Sequence, residues 1–140
     1  MAGYSGSPLA RKLGVGPGDS LALLGAPDGF VIDDLPPGVA VRLRAAPECD
    51  VIVSFHTRRA DLARRFPVLM RALAVDGGLW VAWPKRAAGV NTDITEDVVR
   101  ELALPTGMVD NKVCAIDDTW SGLRLVLRRE LRPGRTTAAG

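Results

Sequence analysis

Apolar and polar positions fall into two kinds of block along this chain. Ser20–Leu24, Asp50–Phe55 and Leu79–Trp83 are apolar almost throughout. Each reads as a strand covered on both faces, because such a strand has no wet side to mark with polar residues. Val39–Leu43 alternates apolar and basic residues at its end and reads as a strand with one wet face. Val109–Ile116 and Leu123–Arg128 complete the strands, and the short link Asp117–Gly122 makes them an antiparallel hairpin.

Between the strands the spacing changes to that of helices. Leu62, Phe66, Leu69 and Leu73 recur at helical intervals after Thr57, the expected cap, and Asp76-Gly77-Gly78 is the expected stop. Pro67 inside this pattern is expected to kink the helix or to start a second one, since it lacks an amide donor and crowds the preceding turn. Ile94, Val98 and Leu102 predict another helix, entered through a capping box of Asp93 and Glu96 and closed by Pro105 and Gly107. A short first helix is expected from Ser7, a cap, and Pro8 to Gly14, with Leu9 and Leu13 on its buried side. Gly16–Asp19, Gly25–Gly29, Pro36-Pro37-Gly38 and Lys85–Asn91 read as turns or loops, and Phe30–Leu35 stays ambiguous. Arg129 onward reads as a flexible tail after a single domain over residues 1–128.

Apolar strands alternating with amphipathic helices indicate a three-layer α/β domain with a mostly parallel, Rossmann-like sheet, here closed by an antiparallel hairpin. With 140 residues, 47% hydrophobic and 24% charged, the composition is that of an ordinary globular domain. No apolar run reaches the ~20 residues of a membrane helix, and the start lacks a secretory apolar core, so a cytoplasmic protein without a membrane partner is expected. Net charge is +2, and the 18 basic residues are scattered with few aromatics between them. That pattern does not predict a nucleic-acid surface. The excess of arginine over lysine is put down to codon usage.

The order of elements resembles the class I S-adenosylmethionine-dependent methyltransferase fold. Leu13–Ala26 is similar to the approach to that fold's first strand and glycine loop, Asp50–Phe55 to its central fourth strand, and Leu73–Pro84 to the passage from helix to fifth strand. A second resemblance spans nearly the whole chain. Gly3–Leu9, Trp83-Pro84-Lys85, Thr92–Glu101, Val109–Cys114 and Trp120–Arg124 resemble a bacterial family known only as a domain of unknown function.

A nucleotide cofactor in such a fold needs a glycine loop after the first strand and an acidic residue after the second to grip the ribose. The loop Gly25-Ala26-Pro27-Asp28-Gly29 keeps two glycines but sets Pro27 between them. After Val39–Leu43 the chain runs Arg44, Ala45, Ala46, with no carboxylate before Glu48. The stretch from Leu24 to Asp50 is too short for two strand–helix units, and the whole chain is shorter than a usual methyltransferase domain. S-adenosylmethionine is therefore the less favoured ligand, and a degenerate or non-catalytic module is favoured over an enzyme.

Ligands of open parallel sheets bind beyond the strand carboxyl ends. The candidate pocket there is Gly25, Asp28, Gly29, His56, Trp83, Lys85, Arg86 and Asp93. Lys85 and Arg86 beside a helix amino end suit an anionic small molecule. His56, the sole histidine, reads as a cap or surface residue before it reads as a general base. Cys49 and Cys114 read as small core residues, and no metal site is expected. Trp80 and Trp83 are expected on opposite faces of one strand. Asp110-Asn111-Lys112 reads as a charged edge. A protein partner, or a homodimer through Trp83 and Trp120, completes the expectations; the alternative function is a methyltransferase or other transferase with an atypical cofactor grip.

Overall fold

A computed structural model describes residues 8–132. Ser7, the expected first cap, and residues 133–140 lie outside them. A six-stranded sheet carries the chain in the order β2-β1-β3-β4-β6-β5. Its strands are β1 (Ser20–Leu24), β2 (Ala40–Arg42), β3 (Cys49–Phe55), β4 (Leu73–Pro84), β5 (Met108–Ala115) and β6 (Trp120–Leu127). β1 pairs in parallel with β2 and β3, and β3 with β4, while β6 runs antiparallel between β4 and β5. This is the expected mostly parallel α/β sheet closed by an antiparallel hairpin.

The helices are α1 (Leu9–Leu13), α2 (Arg59–Ala72) and α3 (Glu96–Ala103). α2 and α3 cover one face, where Leu62, Phe66, Leu69 and Val99 pack on Ile52, Leu79, Val81, Leu123 and Leu125. On the other face, α1 and the irregular segment through Ile32 cover Leu21, Val51, Val53, Trp80 and Ala82. Trp80 and Trp83 do fall on opposite faces, the first in the α1 layer and the second in the α2–α3 layer. Trp80 is fully buried and its indole Nε1–H donates to Leu13 O at 2.9 Å, which ties the end of α1 to the middle of the sheet.

Several local expectations need correction. Thr57 does not cap α2; Arg58 holds the N-cap position, and no side chain caps it. Pro67 is accommodated within a single helix, at an exposed position. The helix also stops before Leu73, which already pairs with Cys49 as the first residue of β4, so Asp76-Gly77-Gly78 falls in the span of that strand and does not end the helix. Residues 74–77 are looped out where the register shifts from Cys49↔Leu73 to Val51↔Gly78. α3 is capped by Thr95, whose hydroxyl accepts from Val98 N, and not by Asp93. Its most buried residues are Val99 and Ala103, with Val98 and Leu102 at the margin. Phe30–Leu35 forms no regular element. Arg129–Leu131, expected as the start of a flexible tail, forms a 3-10 turn, and Arg132 Nε donates back to Leu127 O at 2.8 Å.

Residues 43–48 alone join β2 to β3, on the far side of β1. So short a crossing works because β2 is three residues long, leaving little distance to retrace. No helix or further strand intervenes.

Candidate functional site

The chain leaves β1 for β2 on one side and returns to β3 on the other, so the strand order reverses between β1 and β3. The carboxyl ends of β1, β3 and β4 meet at one edge there, together with the amino end of β6, since Pro84 pairs with Trp120.

Gly25 takes φ 69° at the end of β1, and a Cβ on it would stand 3.1 Å from Phe55 O. The glycine thus lets the loop pass close over the end of β3. Phe30, at the far end of that loop, packs edge-on against Phe55, and Phe55 in turn meets Trp120, each pair at 5.0 Å between ring centres. This aromatic trio closes the α1 side of the edge. Asp28 and Gly29 are exposed on the loop above it. Sequence reasoning missed the trio, because its members come from three separate elements and no spacing links them.

On the α2–α3 side, His56 is 5% exposed and is neither a cap nor a surface residue. Its ring stands between Ser54 Oγ on Nε2 and Asp61 Oδ2 on Nδ1, each at 2.7 Å. A carboxylate only accepts, so Nδ1–H donates to Asp61, and in the neutral ring Nε2 accepts from the Ser54 hydroxyl. Asp61 also receives Arg64 at 2.8 Å. Burial lowers the His56 pKa more than its bond to Asp61 raises it, and the charge of Arg65 lowers it further. Both ring nitrogens are occupied, so the imidazole positions its neighbours and is not a free base. The two-residue step from Ser54 to His56 along a strand was the available signal, since it places both on one face.

Beyond β4 lies a cleft of about 640 Å³ lined by Trp83, Lys85, Arg86, Thr92, Glu96 and Ser121, among others. Lys85 N donates to Thr119 O at 2.7 Å, which fixes the start of this wall. The opposite wall is folded down by Thr92, whose hydroxyl donates to Thr57 O at 2.6 Å and accepts from Ile94 N. Asp93 accepts from Arg59 N at 2.6 Å, so its carboxylate serves the start of α2. Of the expected residues, the structure gathers Trp83, Lys85 and Arg86 in one cleft. Gly25, Asp28 and Gly29 stand at the neighbouring loop, and His56 and Asp93 are engaged in the wall between. Trp83 is 7% exposed and presents little surface.

The ribose position is unlike that of a conventional dinucleotide site. Arg42 ends β2, and its guanidinium donates to Pro47 O at 3.2 Å. Glu48, the first carboxylate after β2, directly precedes β3 and so sits at the opposite, amino edge of the sheet. Among the described residues, no group of three or more His, Cys, Asp or Glu is placed to hold a metal, and no helix is long and apolar enough to cross a membrane.

No family model matches the chain, so the family of unknown function that it resembles gains no support. No curated protein matches it either. Solved structures do. The chain is similar to a ribosomal protein L11 methylase from Lactobacillus delbrueckii subsp. bulgaricus, with a TM-score of 0.56 and 12% identity over 86% of this chain and 75% of that one. It is similar to a TehB-like SAM-dependent methyltransferase from Corynebacterium glutamicum, with a TM-score of 0.56 and 14% identity over 91% of each chain. It is similar to the tRNA methyltransferase TrmK of B. subtilis, with a TM-score of 0.55 and 11% identity over 86% of this chain and 64% of that one. At such identities the likeness is one of fold, and that fold is the Rossmann-like methyltransferase fold. The TehB-like chain aligns with this one almost end to end, whereas this chain spans only 75% and 64% of the other two.

Proposed function

We propose that the chain binds S-adenosylmethionine, or its demethylated product, at the edge between β1 and β3, and that it is a small-molecule transferase with an atypical cofactor grip. This reverses the preference drawn from the sequence. The observation that supports it is the strand reversal at β1 and β3 with Gly25 bridging their ends, in a sheet whose structural relatives are methyltransferases. That edge is where open α/β sheets take nucleotide ligands.

The residues fit such a ligand in part. Gly25 and Gly29, at φ 69° and 80°, keep side chains off the loop that would face it. The ribose carboxylate is missing from the end of β2, and Asp28 is the one carboxylate carried by the loop itself. When bound, S-adenosylmethionine supplies an electrophilic methyl group. The chain's own part is to seat it over Phe55 and to offer Lys85 and Arg86 to an anionic acceptor in the adjoining cleft.

Calorimetric titration with S-adenosylmethionine and with the demethylated product tests the reading. Saturable binding is expected, weakened at least tenfold in Gly25→Trp with the circular dichroism unchanged. Absence of binding by both compounds overturns it. A second reading, a non-catalytic module for an anionic small molecule, is favoured by Lys85 and Arg86 in the cleft and by the missing ribose carboxylate. It expects thermal stabilisation by phosphate alone, lost in Lys85→Ala.

A further inference from the structure

A second hollow, of about 210 Å³, lies on the α1-covered face and shares no lining residue with the cleft. Its charged walls are Arg11 and Lys12 from α1, Lys112 from β5 and Arg124 from β6, with Asn111 as the polar neutral member. Among the described residues, no carboxylate lines it. We propose that this hollow is a binding site for a phosphate group, separate from the methyltransferase-type edge.

The fold holds these cations together. Lys112 and Arg124 are cross-strand partners in the β5–β6 pairing. Lys112 Nζ reaches Lys12 O at 3.4 Å, which draws the end of α1 onto β5. Arg124 lies flat over Gly78, where an added Cβ would stand 2.5 Å from Nε, so the absence of a side chain on β4 makes room for its guanidinium. The Cys114 thiol, half-buried nearby, feels the charge of both Lys12 and Lys112.

Two structural explanations cover only part of this arrangement. Cations at the end of a helix offset its dipole, which accounts for Lys112 against Lys12 O. Packing accounts for the stem of Arg124. Neither explains why the half-buried Arg124 guanidinium shares the hollow with further cations and, among the described residues, meets no carboxylate. Burial and the neighbouring Arg132 both act against the charge on Arg124. Some other arginines are met by acids: Arg100, for instance, contacts Glu96, Asp97 and Asp110. A ligand that brings negative charge resolves the conflict. Arg offers paired donors that match two phosphoryl oxygens, and lysines add point charge around it. The volume equals that of about seven liquid waters at ~30 Å³ each, enough for a phosphate and too small for a nucleoside.

The test is a backbone-amide NMR titration of the full chain with inorganic phosphate, and separately with glycerol 3-phosphate, against sodium chloride at matched ionic strength. Saturable shifts are expected at residues 11–14 and 111–113 with phosphate and not with chloride. A response to both compounds points to a phosphomonoester, and to phosphate alone, to the free ion. Arg11 and Lys112 are exposed. The double variant Arg11→Gln, Lys112→Gln should therefore fold, and it should bind at least tenfold more weakly, while titration with S-adenosylmethionine is unchanged. Shifts no larger than those of chloride, shifts centred on residues 85–95, or native affinity in the double variant would each overturn the proposal.

Discussion

His56 and Asp61 are joined at 2.7 Å, Nδ1 to Oδ2, across the turn from β3 into α2. The contact closes a chain of hydrogen bonds that starts at the buried hydroxyl of Ser54 and ends at exposed Arg64. An imidazole ordinarily titrates near pH 6.5, and burial lowers that value here. Between the lowered value and about 6.5, the unfolded chain therefore binds more protons than the folded one. Stability rises with pH through that window and is lost as pH falls through it. Urea midpoints between pH 5 and 7.5 should show this slope, and His56→Gln should flatten it. An equal slope in the variant would remove His56 as its source.

The same relay predicts what truncation does. His56→Ala leaves the Ser54 hydroxyl buried without its partner, at a cost of about 1–3 kcal/mol. Ser54→Ala strands His56 Nε2 in turn, but it keeps the packed ring and its bond to Asp61, and should cost less. Chemical denaturation at pH 7.5 ranks the two.

Thr95 and Asp93 can be told apart by their different helices. Thr95→Ala removes the hydroxyl that accepts from Val98 N and should cost about 1 kcal/mol. Asp93→Ala instead frees Arg59 N, so hydrogen exchange should quicken at the start of α2 and not at the start of α3. Faster exchange at Val98 in Asp93→Ala would restore the capping box.

Gly77 and Gly78 should differ despite being adjacent. A Cβ on Gly77 meets Asp50 O at 2.8 Å and Cys49 O at 3.0 Å, both backbone atoms that cannot swing aside. The three atoms nearest a Cβ on Gly78 all belong to the Arg124 side chain, which can. Gly77→Ala is expected to cost about 1–3 kcal/mol as an overpacked site. Gly78→Ala should cost less in stability and should displace Arg124, weakening the phosphate hollow. Equal melting temperatures for the two variants would contradict this.

Trp80→Phe keeps most of the buried ring but takes away the donor to Leu13 O. The stranded carbonyl sets the cost at about 1–3 kcal/mol. The loss should appear in thermal melts, with α1 amides exchanging first.

The strands were legible where burial on both faces leaves an unbroken apolar run, as in Ser20–Leu24 and Asp50–Phe55. Boundaries were lost where tertiary pairing overrides local pattern. Leu73 continues the helical spacing of Leu62, Phe66 and Leu69, yet Cys49 claims it for the sheet. Thr57 has the chemistry of a cap, but its carbonyl is used by Thr92 instead. At the edge, Trp83, Lys85 and Arg86 could be placed together because a strand end and the following loop are contiguous in sequence. Asp61 as the partner of His56 could not, since the pairing depends on how tightly the chain turns from β3 into α2. The hollow between α1, β5 and β6 was invisible for the same reason, as its members are about 100 residues apart in the case of Lys12 and Lys112.

The two outer strands set how this sheet can meet another. β5 is exposed over Asn111–Val113 and carries a register break between Asp110 and Lys112, so its free backbone is kinked and flanked by charge. β2 is three residues long, about 10 Å of backbone at ~3.3 Å per residue. One border is irregular and the other too brief to template a strand. Addition of a further strand is thus obstructed at both borders of the sheet.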